Sequence, residues 1–440
     1  MALWTIDDTA TPDDRIAAFL GGDTGCDETL ADYDILGSIA HTQMLHEQGY
    51  LDGEELGDLH AVLHDLYTDD ITVTAEDEDI HTVIEEQVTA ETAAGKKMHT
   101  GRSRNDQVTV DERLYLKHGT VHVAQAALDL AAALQMKAAD HGDAVMPGYT
   151  HMQQAMPTTV GTWLDAHAAA VLGQLQHLQS VHAQLDQNPL GAAAGYGTTL
   201  DIDRDRTAEL LGFSTVQQNP IHAVDSRGQL ALTTMQGLTQ LMLTVDTLAQ
   251  DLLLFSTDAY GFVGLPDDFC TGSSVMPQKS NPDVLELVQA KTAQVQGRQH
   301  TIEALCMGNT SGYGREMQAV TPAIVESIEL TTATLQVLAD LVEGLGIDQN
   351  AISESLDEHI YAAYTANQQV EHGAAFRDAY RTVKQEQEYD EPAVDDIPST
   401  GIDADTLQEQ QAWWSSKQEA WDETVDSLLA LAEDNAAAAE

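Results

Sequence analysis

The stretch TGSSVMPQKSNPD, residues 271–283, places a single lysine, Lys279, in a small, polar, proline-broken segment. The chain around it is acidic, with 72 Asp and Glu against 19 Lys and Arg and a formal net charge of −53 over 440 residues. Apart from Lys279, no Lys or Arg occurs between Arg227 and Lys291. An ammonium set apart among glycine, hydroxyl and amide groups marks a place where negative charge has to be met.

The composition bounds what such a segment can serve. With 43% hydrophobic residues the chain can bury a substantial core, and its length predicts two or three domains. The charge balance excludes nucleic acid and anionic membranes as partners, because both require basic patches. The same charge would destabilise a compact fold in dilute salt, whereas at molar salt the Debye length falls to roughly 3 Å and the repulsion is screened. With only eight lysines in the chain, a salt-rich cytoplasm and a halophilic source are expected rather than an ordinary acidic protein. Cys26, Cys270 and Cys306 lie far apart with no ligand-like spacing, which points to a reducing compartment. The segment MALWTIDDTATPDD lacks a basic and an apolar signal region, and no run of 18 apolar residues occurs. A cytoplasmic location follows as an expectation.

The organisation reads as all-α. Leu36, Ile39, Ala40 and Leu45 recur at helical spacing, as do Leu56, Leu59, Leu63 and Leu66 behind a capping box of Asp52 and Glu55. Two short amphipathic helices are predicted there. Proline is absent between Pro157 and Pro189, between Pro220 and Pro266, and between Pro322 and Pro392. The second window could span up to about 65 Å as helix, which predicts a long-helix bundle with faces buried between subunits. Strand-like alternation is scarce. QEQEYDEPAVDD at 385–396 reads as a solvated loop, and the Ala-rich end after 434 as a frayed tail.

Several site types are excluded. There is no Walker A motif, no G-x-G-x-x-G after a strand and no G-x-S-x-G elbow. DIDRDR at 201–206 imitates a calcium loop but has Arg206 at the turn glycine and Gly212 at the bidentate glutamate. EDED at 76–79 reads as a solvated helix start, and the 17 histidines show no zinc spacing. Three polar segments remain. GKKMHTGRSRND at 95–106 gathers Lys96, Lys97, Arg102 and Arg104; MPGYTHMQQAMP at 146–157 offers Thr150 and His151; the opening stretch offers Ser273, Ser274, Lys279 and Asn281. Together they suit a dicarboxylate. Taken singly, the basic island could pair with surface acids and His151 could be a hydrogen-bonded loop histidine.

GSSVMPQKSNPD resembles the signature loop of the fumarase/aspartase superfamily, GSSxMPxKxNP. HTGRSRNDQ, GYTHMQ, DEDIH and DYDILGSIAHTQML resemble signatures of its argininosuccinate lyase branch, over roughly residues 1–380. The resemblance implies a three-domain fold with an N-terminal helical domain (1–103), a central long-helix bundle (104–350) and a C-terminal helical domain (351–440). It also implies a homotetramer with active sites shared between subunits, a small-molecule substrate, and reversible cleavage of argininosuccinate to arginine and fumarate without a cofactor or metal.

Breaking a C–N bond beside a carboxylate starts with loss of a weakly acidic Cβ proton, so cations and amides must surround the intermediate. By the same resemblance Ser273 is the base, with Lys279 favouring its alkoxide. Asn281, Lys279, Ser103, Asn105 and Thr150 hold the succinyl carboxylates, and Arg104 is a further substrate-binding residue. His151, oriented by Glu286, handles the departing nitrogen, and Tyr313, Gln318, Asp23 and Asp27 belong to the amine end. The chain departs from the branch at Ser280, Gln154, Asp23 and Thr321, where the branch pattern has lysine, arginine, serine and lysine in turn. Two alternatives stand beside argininosuccinate cleavage: a related lyase releasing fumarate from another N-substituted aspartate, and a non-catalytic structural homologue of the lens-crystallin kind.

Overall fold

The structure, a computed structural model, describes Phe19 and residues 26–439 except 70, 75, 76, 399, 400, 402 and 403. Asp23 lies outside the described residues. Among those described, thirteen α-helices dominate. The first three, α1 (Ala31–Glu47), α2 (Gly53–Thr68) and α3 (Ile80–Glu91), are short. The long ones are α4 (Arg104–Asp140), α5 (Val160–Leu185), α7 (Pro220–Phe255), α8 (Asp283–Cys306) and α9 (Val320–Glu343), with α6 (Arg204–Leu210) between α5 and α7. Then come α10 (Gln349–Ser355), α11 (Ala362–Glu371), α12 (Phe376–Glu386) and α13 (Ala404–Ala439). None of the described helices is long and apolar enough to cross a membrane.

Local signals start the long helices. Asn219 accepts the His222 amide at 3.0 Å and Pro220 occupies the first turn of α7, where its missing N–H costs nothing. At 36 residues α7 runs about 54 Å. It packs on α5, α8 and α9, and α4 packs on α5 and α9, so five helices enclose one continuous apolar core. The 37-residue α4 is longer still, and the proline windows singled out above did not include it. The third window holds α9 and then breaks at Gly344 into shorter helices.

Three expectations need correction. First, α1 is buried around its whole circumference rather than on one stripe, because α2, α3 and α4 surround it. The Asp52–Glu55 capping box of α2 is present as read. Second, the Ala-rich end is not frayed. It is the last turns of α13, and a Cβ on Gly57 of α2 would overlap Ala439 Cβ and the Asn435 carbonyl oxygen. Small residues on both helices permit that approach. Third, the proline-flanked segment around His151 is a two-stranded antiparallel ribbon, β1 (Val145–Thr150) with β2 (Gln153–Thr159), in which Pro147 faces Pro157.

Candidate active site

A cavity of about 200 Å³ opens where the N-terminal helices meet α4, α7 and the start of α9. Carboxylates line one part of it, from Asp27, Glu78 and Asp79, and guanidinium groups another, from Arg104, Arg227 and Arg315. Asn105, Tyr313, Gln318 and Thr321 complete the wall.

Each group is held by a separate device. Asp79 caps α3, accepting from the Thr82 amide at 2.7 Å and the Thr82 hydroxyl at 2.8 Å, with Arg104 Nε at 3.3 Å. Burial pulls its carboxyl upward, but His81, Arg104 and these hydrogen bonds outweigh it and hold it below the ordinary value. Arg104 also donates to Gln107 Oε1 at 2.8 Å and Thr82 Oγ1 at 3.2 Å. The N-terminus of α4 carries Ser103 as its cap, and the Asp106 carboxylate accepts the Ser103 amide at 2.8 Å. Asn105 follows in the first turn, so its side chain faces the cavity beside the positive end of a 37-residue helix. Asp27 differs from Asp79: burial is its main influence and pushes its carboxyl up to about 6, with His81 opposing.

Arg227 is the most constrained of the cations. Its side chain and that of Glu112 are each only 3% exposed, and they form a two-pronged pair with Nε and Nη2 both 2.6 Å from carboxylate oxygens. The Thr321 hydroxyl donates to the same carboxylate at 2.5 Å and accepts from Arg227 Nη2 at 3.2 Å. Burial works against the guanidinium charge, but Glu112 more than offsets it and keeps Arg227 above its usual value. The pair ties α4 to α7, and Thr321 adds α9.

Behind the cavity lies a second buried group. His81 Nδ1 sits 3.3 Å from Asp34 Oδ1 and 3.4 Å from Asp111 Oδ2. Burial and the Asp34 charge push Asp111 well up, whereas at Asp34 the effect of burial is outweighed by His81 and Arg102, which hold it low. The two carboxyls are therefore pushed in opposite directions. This trio has the donor set for a metal ion. Arg102, itself buried beside them, already supplies positive charge, so the trio reads as a polar network that fixes α1, α3 and α4.

The remaining candidates lie elsewhere on the chain. Residues 271–283 form a hairpin closed by pairing of Thr271–Gly272 with Ser280–Asn281. At its tip Ser273 Oγ accepts from the Val275 amide at 3.3 Å and the Met276 amide at 3.1 Å. Lys279 is exposed, Asn281 is half-buried, and Glu286 projects from the first turn of α8. Thr150 and His151 are exposed at the end of the β1–β2 ribbon. His151 and Met152 both take positive φ, 54° and 59°, in a two-residue turn that glycine or asparagine ordinarily fills. Strain of this kind collects where a side chain has to be presented in one direction.

Among the described residues, the cavity thus unites Asp27, Arg104, Asn105, Tyr313 and Gln318, with Ser103 at its edge. Ser273, Lys279, Asn281, Glu286, Thr150 and His151 do not line it. Sequence reading missed Glu78 and Asp79, which it took for a solvated helix start, and Glu112, Arg227 and Arg315. The DEDIH motif held a signal for Asp79. Glu112, inside a long helix, had none.

Known proteins share this architecture. An EDDS lyase variant with bound fumarate superposes with a TM-score of 0.80 at 23% identity, covering 98% of this chain and 99% of its own. Class II fumarase from Schistosoma mansoni follows with a TM-score of 0.71 at 15% identity, covering 84% of this chain and 91% of its own. Those likenesses define the class, a fumarase-type helical lyase fold. In sequence, a family described as lyase matches residues 25–297. Argininosuccinate lyase of Phocaeicola vulgatus is 35% identical over 369 residues, 83% of each chain, and that of Thermotoga neapolitana is 36% identical over 379 residues, 85% of this chain and 95% of its own. The enzyme of Stenotrophomonas maltophilia is 37% identical over 375 residues, 84% of this chain and 87% of its own. The chain belongs to the argininosuccinate lyase family of the fumarase/aspartase superfamily.

Proposed function

We propose that this protein is a carbon–nitrogen lyase that splits argininosuccinate into arginine and fumarate. The observation that carries the reading is family-level identity of 34–37% over 83–85% of the chain. Ser273 takes the Cβ proton, the electron pair passes through the neighbouring carboxylate, and the C–N bond breaks as the nitrogen acquires a proton on the His151 side, with Glu286 orienting that imidazole. Two backbone N–H groups aimed at Ser273 Oγ, with Lys279 on the same loop, favour its alkoxide. Ser103, Arg104, Asn105, Thr150 and Asn281 receive the two succinyl carboxylates. Asp27, Tyr313 and Gln318 receive the amine end, and Asp23 joins them. The test is fumarate release, measured by its ultraviolet absorbance, from argininosuccinate and from other N-substituted aspartates in molar KCl. Release from another aspartate and none from argininosuccinate would transfer the assignment to a related lyase.

Assembly belongs to the same proposal: a homotetramer, divided as 1–103, 104–350 and 351–440, in which the Ser273 loop, the His151 turn and the cavity come from different copies. Its support is the surface of α7, where residues 228–245 carry no charge in a chain of net −53 while Gln229, Gln236, Gln240 and Leu243 are exposed. A cytoplasmic location and salt adaptation are proposed with it. The melting midpoint should then rise steeply from dilute to molar KCl, and sedimentation in dilute buffer should show dissociation or unfolding. A midpoint indifferent to KCl would exclude salt adaptation.

Asp27 supplies a pH test. Only its ionised form pairs with a cationic amine, so kcat/KM should fall as pH drops through about 6, and Asp27→Asn should lose that limb. The sign for stability is opposite. A carboxyl raised from 3.8 to about 6 favours the folded state at low pH, and that contribution fades as pH rises through 6. Asp27→Asn should therefore gain on the wild type in urea denaturation between pH 4 and pH 7.

A further inference from the structure

A second cavity, of about 170 Å³, lies apart from the candidate site where α4, α5, residues 211–214 and α13 meet. Lys117, His118, His182, Lys417 and Trp421 line it. Two of the chain's eight lysines in one cavity is a concentration of positive charge that the composition does not predict.

The carboxylates nearby are already committed. Lys117 Nζ donates to Asp186 Oδ1 at 2.6 Å and to the Gly212 carbonyl at 3.0 Å. The Ser214 hydroxyl takes Asp186 Oδ2, and the Ser214 amide shares Oδ1 at 3.2 Å. On α13, Asp422 accepts from Gln418 at 2.8 Å. Lys417 has no carboxylate within ion-pair distance among the described residues, although 72 acids occur in the chain; its Nζ lies 5.1 Å from the Trp413 ring centroid. One wall is flat and aromatic, with Trp421 stacked on His118 at 4.7 Å. Two ammonium groups and one carboxylate line this partly apolar space, with the Asp422 carboxylate close enough to act on His118, so the capacity for an anion rests on Lys417, the ammonium without a carboxylate partner.

We infer that this cavity binds a small oxyanion, with Lys417 as its principal ligand and Lys117 as the second. The bound anion would cross-link α13 to α4 and α5. Burial pushes His118 and His182 down to about 4, so at neutral pH the lysines alone supply the positive charge. The space admits a phosphate-sized ion with a few waters completing its hydrogen bonds. Inorganic phosphate and a free carboxylate share this chemistry.

Equilibrium dialysis of labelled phosphate against the full chain, in the same molar KCl for every protein so that competition by chloride is common to all, tests the inference. Wild type should hold one phosphate per chain more than Lys417→Gln, and Lys417→Arg should retain it. Phosphate at the catalytic cations is common to all three proteins, so the difference reports this cavity. A parallel series with labelled succinate assigns the source: tighter phosphate binding marks an inorganic site, tighter succinate binding a carboxylate site. Melting in KCl alone should be alike for the three proteins and confirms that the variants fold, while added phosphate or succinate should raise the midpoint of wild type and Lys417→Arg only. Fumarate release by Lys417→Gln should be unchanged. Equal binding by wild type and Lys417→Gln, or binding by neither, overturns the inference.

Discussion

Ser273→Ala should lower fumarate release by roughly 10²–10⁴-fold, the usual contribution of a positioned general base, while KM stays close to that of the wild type. In the proposed mechanism the hydroxyl acts in proton removal and contributes little to holding the substrate, so its loss should fall on kcat. A serine is a weak base unless its alkoxide is stabilised, and in the proposed mechanism the loop would supply that stabilisation in two ways. The Val275 and Met276 amides point at Oγ, and Lys279 stands on the same hairpin. Val275 and Met276, two and three residues after the serine, are exposed. Turnover by Ser273→Ala near that of the wild type would remove Ser273 from the reaction and leave the loop a binding role only.

The second large effect is on stability. Arg227→Met should cost about 3–5 kcal/mol, because it leaves the Glu112 carboxylate buried with only the Thr321 hydroxyl for company. Adding Glu112→Gln should restore most of that loss, since the penalty comes from an uncompensated charge and not from a lost contact. Urea denaturation in molar KCl, comparing the single and double variants, measures both. A single variant within about 1 kcal/mol of wild type would mean that the pair is not what fastens α4 to α7.

Much of the architecture was legible because it is local. The Asp52–Glu55 capping box depends on residues three apart and is present in the structure, and the proline-free window after Pro220 holds α7. The segment around His151 carried no strand-like alternation in the sequence and stood out only for Thr150 and His151 between prolines. An isolated two-stranded ribbon has only edges, and Pro147 opposite Pro157 is tolerated there. The cavity was legible where a motif packs several polar groups together, at 102–106, whereas residues 271–283 do not line it. It was illegible where function depends on distant partners. Glu78 and Asp79 look like solvent-facing charge until Arg315 and Arg104 are placed beside them. Glu112 looks like any helical glutamate until Arg227 arrives, 115 positions later.

The docking of α13 onto α2 bears on the order in which the chain acquires its structure. Asn435 donates to Gln43 at 2.9 Å, a contact between residues 392 positions apart, and stands beside His60 at 3.2 Å. During synthesis the helices at the amino end emerge first, and the groove along Gly57 stays open until α13 has left the ribosome. The early helices must therefore wait, partly assembled, with an apolar seam in water for nearly the whole of translation. At the salt concentration this acidic chain calls for, like-charge repulsion between nascent copies is screened and does little to keep those waiting seams from meeting one another.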